Sequence, residues 1–509
     1  MNGLRRESIG MSRRLDGYAT DGAASPRWLM GAAVFFALIG AACPLTAQQA
    51  TQQNTQQPTQ QAAPLASPPE TRPSPGLQQQ PGAGAQVHTG TNSGLDADAR
   101  LQNLLADHEF LRIESQLDQL PPDQAQFYRG ILANRSNDLK TSIQLLEPMI
   151  DQVTASGDTA HEKLLRKALA EDYLRSGDLG KAAKAYQALD TRLHGKLSAE
   201  EQDEIEMPLK LLPLATANPP MTVEPCDPFV LQVSKNPLGL IDIPVYVDAR
   251  PHSWMLDPTA PFNLISRSLA REAGLKVSAE VTTIHTLTGR PIQVHVTVIP
   301  RFTVGGRLTL RDMTAFVFED ADYFFPHSRY QVEGVLGYAA LSALGSLTVT
   351  ADDTIEVRPA KQTLPAEKND LLTTGARFFL DGDQIFVALG GAVGSGDERM
   401  YVVDAGGQQT YLTARYYDEH TADFAGQKME LLTLPGAETM RPTPAYVAET
   451  IPLTAGATTV QVHYIQVLTQ PLGSAVLDDV YGVLGVDALD QLKSYTFDYR
   501  TMRFSVKAE

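Results

Sequence analysis

The chain repeats itself, and the repeat limits what it can fold into. Val332–Leu341 (VEGVLGYAAL) and Val480–Leu489 (VYGVLGVDAL) agree at seven of ten positions, 148 residues apart (480 minus 332). Nearly the same spacing links other landmarks. Ser253–Asp257 (SWMLD) parallels Met400–Asp404 (MYVVD), 147 apart; Leu264–Ser266 parallels Tyr411–Thr413, also 147 apart; Asp352 parallels Asp498, 146 apart. In each copy an apolar strand ends in aspartate. A polar loop then leads to an aliphatic residue and a Ser or Thr suited to cap a helix, Ser266 to Ala273 and Thr413 to His420. After Cys226 the texture is short runs of Val, Ile, Thr, Tyr and Phe broken by Gly, Pro and Asp, the pattern of an all-β region. The expectation is two homologous lobes, one after the other.

Three features of that region resemble the aspartic peptidases, in particular the retropepsin-like group in which each lobe supplies one aspartate. Ile243–Asp257 (IPVYVDARPHSWMLD) resembles the strand pair leading to the aspartate. Leu269-Ala270 with Gly274-Leu275 resembles the helix that follows. Val335-Leu336-Gly337 and Val483-Leu484-Gly485 resemble the element that packs beside the aspartate loop. The resemblance covers about residues 228–509. It implies β-barrel-like lobes at 228–362 and 363–509, and Asp257 and Asp404 as a catalytic pair acting on a peptide or protein substrate with no metal and no cofactor. Two carboxylates a few ångströms apart cannot both ionise cheaply, so they share a proton. One then activates water while the other polarises the peptide carbonyl.

The loops depart from that family's pattern, which follows each aspartate with Thr or Ser and then Gly. Here they read Asp257-Pro258-Thr259-Ala260 and Asp404-Ala405-Gly406-Gly407. Neither hydroxyl position holds a hydroxyl, and Pro258 also lacks an N–H. Both aspartates therefore carry two readings, catalytic group or ordinary turn residue. Candidate flaps over the cleft are Thr286–Arg290, with Gly289, and Leu434–Ala437, with Gly436. The alternative reading of each is a surface hairpin, and His285 beside the first reads as a surface residue.

Upstream the chain changes character. Residues 96–215 show apolar positions at helical spacing. Ala168–Leu189 resembles a tetratricopeptide repeat, with Asn137-Asp138-Leu139 in Tyr128–Ile150 matching Gly177-Asp178-Leu179 at an offset of 40, and a fainter hairpin at Leu101–Leu120. Two readings stand: a groove that recruits a protein partner, or a helical spacer packed on the next domain. Residues 48–95 read as a disordered linker, since Gln48–Gly90 holds 12 Gln and 7 Pro among 43 residues and offers nothing to bury. Residues 1–47 read as a signal peptide: five arginines, then the 15-residue apolar run Trp28–Ala42, then small residues ahead of Gln48. The expectation is export to a periplasmic or extracellular location, with membrane attachment only if the signal is retained.

Composition removes other classes. Lys and Arg total 42 against 59 Asp and Glu, a net charge of -17 with no basic stripe, which argues against nucleic acid. Two cysteines, Cys43 and Cys226, make neither a disulfide framework nor a four-ligand zinc site. There is no phosphate-binding loop, dinucleotide fingerprint, His-Glu-x-x-His or Gly-x-Ser-x-Gly, and Gly390–Gly396 reads as a loop between strands. The sequence thus supports an exported retropepsin-like peptidase homologue. Its alternatives are a catalytically degenerate peptide-binding pseudo-peptidase whose helices recruit a partner, and a structural envelope protein.

Overall fold

The computed structural model describes residues 92–216, 218–258, 260–285, 290–359, 374–382, 384–391, 393–432, 442–473 and 475–507. The signal reading, the linker reading up to residue 91, Cys43, Thr259, Gly289 and Gly436 lie outside the described residues; residues 92–95, read as the end of the linker, instead form the first turn of the helix Asn92–Ala106. Among the described residues, eight α-helices between Asn92 and Thr216 precede a region dominated by β-strands.

The same strand pairing occurs twice in that region. Arg250–Leu256 runs parallel to Gly334–Leu336, which runs antiparallel to Leu264–Ser266, which runs parallel to Leu308–Phe318. In the second copy Arg399–Val403, Gly482–Leu484, Tyr411–Leu412 and Thr458–Leu468 are joined by the same sequence of parallel and antiparallel ladders. Register repeats too, with Leu256 opposite Leu336 and Val403 opposite Leu484. The glycines of the repeated motif have a packing reason. A Cβ added at Gly334 would overlap the fully buried indole of Trp254, and one at Gly337 would lie 2.6 Å from the Ala260 carbonyl oxygen. Gly482 and Gly485 stand equally close to Leu412 and to the Gln409 backbone.

The copies join through one sheet. Ser346–Thr350 pairs antiparallel with Ser494–Asp498, and Thr348 and Thr496 face each other with hydroxyl oxygens 2.9 Å apart. This register corrects one expectation. Asp498 ends a strand and is fully buried against Arg500, whereas Asp352 sits exposed in the turn between strands Ser346–Thr350 and Thr354–Arg358. At the offset of 148 the counterpart of Asp498 is Thr350 (498 minus 148). Matching aspartates by spacing alone missed the strand register.

Two of the turns between helices are built alike. Asn137 and Gly177 both take positive φ, 59° and 80°, and Asp138 and Asp178 cap the next helices by accepting the Thr141 and Lys181 N–H groups. Ser266 caps its helix by accepting the Leu269 N–H at 3.2 Å. Thr413 differs: its hydroxyl donates to the Val480 carbonyl at 2.7 Å rather than capping the helix it precedes.

The helical region shares its core with the second repeat. Phe110, Leu101 and Ile131 belong to the same buried cluster as Phe379, Phe386, Met400, Val402 and Val483. The strand ending at Asp404 is therefore sandwiched, since Tyr401 and Val403 point into the β-core while Met400 and Val402 meet the helices. Polar contacts lock the junction. Arg135 Nη2 lies 2.9 Å from Asp381 Oδ1, His108 Nε2 lies 3.5 Å from Asp381 Oδ2, and Arg377 bonds Glu114 at 2.5 Å. Burial pushes the Asp381 carboxyl up, but Arg135, with His108 and Lys167, outweighs it and holds the group far below the ordinary carboxylate range. A depressed folded pKa adds stability above the unfolded value and loses it only as pH falls through the folded one. Asp381→Asn should therefore cost about 3 kcal/mol throughout neutral and mildly acid pH, leaving the buried Arg135 charge underpaired. Urea midpoints at pH 5 and pH 7.5 should fall equally.

Candidate functional site

Each candidate aspartate is held where its strand ends. The Asp257 N–H bonds the Leu336 carbonyl at 3.2 Å, and the Asp404 N–H bonds the Leu484 carbonyl at 2.8 Å. The loops that follow are built alike. Ala260 N–H returns to the Asp257 carbonyl at 3.3 Å, as Gly407 N–H does to that of Asp404 at 3.2 Å. The carbonyls of Ala260 and Gly407 then accept the N–H groups of Tyr338 and Val486 at 2.7 and 2.9 Å. Beneath them, Asn263 Oδ1 accepts the Gly337 N–H at 3.2 Å and Thr410 Oγ1 accepts the Gly485 N–H at 2.8 Å. Sequence reading did not single out Asn263 and Thr410, although their spacing of 147 (410 minus 263) was a usable signal.

The two loops meet. A Cβ added at Gly406 would stand 2.6 Å from Asp257 Oδ2, so the backbone just after Asp404 lies against the Asp257 carboxylate. Only glycine tolerates that approach. The Asp257 Oδ1 also accepts the Ala260 N–H at 3.1 Å, a bond that Pro258, with no N–H, cannot supply. Pro258 and Ala405, which stand where the resembled family has hydroxyls, are buried.

A contact absent from the sequence reading ties the Asp404 loop to a different turn of the first repeat. Gln408 Nε2 donates to the Leu238 carbonyl oxygen, from the second repeat to the first. The acceptor is rigidly presented. Asn236 Oδ1 accepts the Leu238 and Leu240 N–H groups at 2.9 and 3.2 Å, and Asn236 Nδ2 donates to Asp242 at 2.9 Å. Lys235 pairs with Asp490 beside it.

Phenols surround the aspartates. Burial pushes the Tyr323 hydroxyl up and the Asp257 charge pushes it further. Tyr499 is raised by burial, by Tyr338 and by Asp257, and Tyr411 by burial and by Asp404. All three stay protonated at any working pH. The described strands that flank each flap candidate pair antiparallel: Thr282–His285 with the start of Pro291–Val304, and Glu430–Leu432 with the start of Thr443–Ala455. Their tips, with Gly289 and Gly436, lie outside the described residues.

Replacing Gln408 by Leu would strand the Leu238 carbonyl, itself in a buried residue, without a donor. The expected cost is about 1–3 kcal/mol in chemical denaturation, with Gln408→Asn recovering little because its amide is one methylene short.

Comparison with known proteins bears on these residues. No curated protein matches the chain. Among solved structures, conglutin gamma from lupine seeds is 12% identical, with 56% of this chain and 96% of that one covered and a TM-score of 0.35. An aspartic proteinase from Irpex lacteus is 10% identical, with 55% and 97% covered and a TM-score of 0.35. A retropepsin-like aspartic protease from Rickettsia conorii is 16% identical, with 28% and 97% covered and a TM-score of 0.20. Residues 243–340, which contain Asp257 and the Gly334–Gly337 element, match the family model described as aspartyl protease, and the first repeat is aspartyl-protease-like in sequence.

Proposed function

We propose that the two repeats are the lobes of an exported aspartic peptidase homologue that hydrolyses peptide bonds, with Asp257 and Asp404 sharing one proton. The observation that carries the reading is the backbone of Gly406 lying against the Asp257 carboxylate, which brings the two aspartate loops together. In this scheme one carboxylate takes a proton from water as it attacks the peptide carbonyl. The protonated partner donates to the carbonyl oxygen, and the amine leaves after a second proton transfer. The paired hairpins serve as flaps over an extended substrate. Export rests on the signal-like N-terminus.

A second reading is favoured by a specific feature, the buried Pro258 and Ala405 in place of hydroxyl residues. Here the cleft grips a peptide without cutting it, and the helical region recruits a partner through a surface not packed on the second repeat.

The two separate cleanly. Residues 48–509 incubated with a diverse peptide library from pH 3 to pH 7 should cleave, with loss of at least a thousandfold in Asp257→Asn and in Asp404→Asn while circular dichroism is unchanged. Cleavage that persists in either variant sinks the dyad. Cleavage that appears only in the triple variant Pro258→Thr, Thr259→Gly, Ala405→Thr assigns the protein to the binding class.

A further inference from the structure

The first repeat carries a cavity of about 420 Å³ that the peptidase reading leaves unused; its walls include Asp242, His252, Ser253, Tyr330, Gln331 and Glu333. It lies outside the aspartate cleft. Ser253 precedes Asp257 by four residues on one extended segment, about 13 Å at roughly 3.3 Å per residue.

The hydrogen-bond inventory of the walls is one-sided. Tyr330 spends its hydroxyl proton on Asp242 Oδ2 at 3.0 Å, and Asn236 donates to Oδ1. Gln331 Nε2 donates to the Val332 carbonyl at 3.1 Å. His252 Nδ1 lies 3.0 Å from Glu333 Oε2, and because an ionised carboxylate only accepts, the imidazole is the donor there. Its Nε2 in the neutral ring is then a lone-pair acceptor. That atom has no partner among the described residues, and the side chain is only 9% exposed. Apart from the Ser253 hydroxyl, which can also donate, what the walls still offer is acceptors and two carboxylates.

The second repeat differs at the corresponding place. Ser253 and Glu333 stand where it has Met400 and Tyr481 (147 and 148 residues on), and Met400 there is covered by the helical region. The first repeat has polar groups at two positions that its copy gives to apolar packing, Met400 in the core shared with the helices and Tyr481 in the β-core. A buried polar group carries a cost unless satisfied, and the unpartnered His252 Nε2 beside two carboxylates suits a donor-rich, positively charged occupant. Among the described residues no group of three or more His, Cys, Asp or Glu is placed to hold a metal ion, which directs the choice to an organic cation.

We infer that this cavity binds an alkylammonium or guanidinium group, with Glu333 and Asp242 supplying the counter-charge and His252 Nε2 accepting one N–H. Free amines and the Lys or Arg side chains of a polypeptide share this chemistry.

The test is calorimetric titration of the full chain with methylguanidinium, n-butylammonium and, as an uncharged isostere, methylurea. N-acetyl-arginine amide and an Arg-containing pentapeptide separate a free cation from a polypeptide source. Methylguanidinium or butylammonium should bind, methylurea should not, and Glu333→Gln and His252→Leu should each weaken binding at least tenfold. Glu280→Gln, which removes an exposed charge elsewhere, should leave it unchanged. Glu333 is about half exposed and its variant is expected to fold normally, which thermal melting verifies, so the result does not hang on the buried histidine. No binding by either cation, equal binding of methylurea, or equal losses in Glu280→Gln and Glu333→Gln would each overturn the inference. None of these outcomes depends on whether the aspartates cleave peptides.

Discussion

The antiparallel pairing of Ser346–Thr350 with Ser494–Asp498 is the contact on which the β-region depends. Thr348 and Thr496 are 148 residues apart, the same interval that separates the two Val-Leu-Gly elements, so the strand pairs with its own copy. An interface of a surface with its own copy is two-fold by construction: Ser346 meets Asp498 as Thr350 meets Ser494. Once that axis is set, whatever one repeat places near it meets its counterpart. The loops after Leu256 and Val403 are such elements, and the contact between Gly406 and the Asp257 carboxylate follows from the sheet beneath them.

Around that axis the symmetry is incomplete, and the physical reasons are local. Paired hydroxyls after each aspartate would allow reciprocal bonds between the loops, but Pro258 and Ala405 have none to give. The bond from Gln408 to the Leu238 carbonyl crosses in one direction only. Its footing is the Asn236 turn, which is anchored in turn by Asp242 and Tyr330. The first repeat is therefore the platform and the Asp404 loop is the part fastened to it. Protonated phenols at Tyr323, Tyr499 and Tyr411 add bulk near the carboxylates without adding charge, so they do not compete for the proton that a carboxylate pair would share.

What could be read from the sequence was what repeats or what obeys local stereochemistry. The aspartate strands, the Gly-Val-Leu-Gly elements and the 40-residue interval between Asp138 and Asp178 were visible because identical packing problems select identical residues at fixed spacing. The Ser266 cap was visible because the rule behind it is local. Thr413 satisfied the same rule in sequence yet turned to the Val480 carbonyl, since a buried hydroxyl follows the nearest unsatisfied acceptor. The bond from Gln408 to Leu238 and the sandwiching of Met400 and Val402 were not visible. Each joins segments far apart in the chain, 170 residues in the first case, and neither periodicity nor turn chemistry reports such pairings.

The helical region shows how the copies came to differ in use. Alternation along Arg399–Val403 makes both faces apolar, and a strand apolar on both faces needs two layers. Phe110, Leu101 and Ile131 supply the second layer, and Arg135 fastens it at Asp381. The first repeat places Ser253, an exposed polar residue, where the second has Met400. A segment that buries Met400 and Val402 cannot leave without exposing the strand that positions Asp404. The face of the helices spent on this packing is closed to any partner, so recruitment through this region has to use its remaining surface, and helix and aspartate loop must be treated as one mechanical unit.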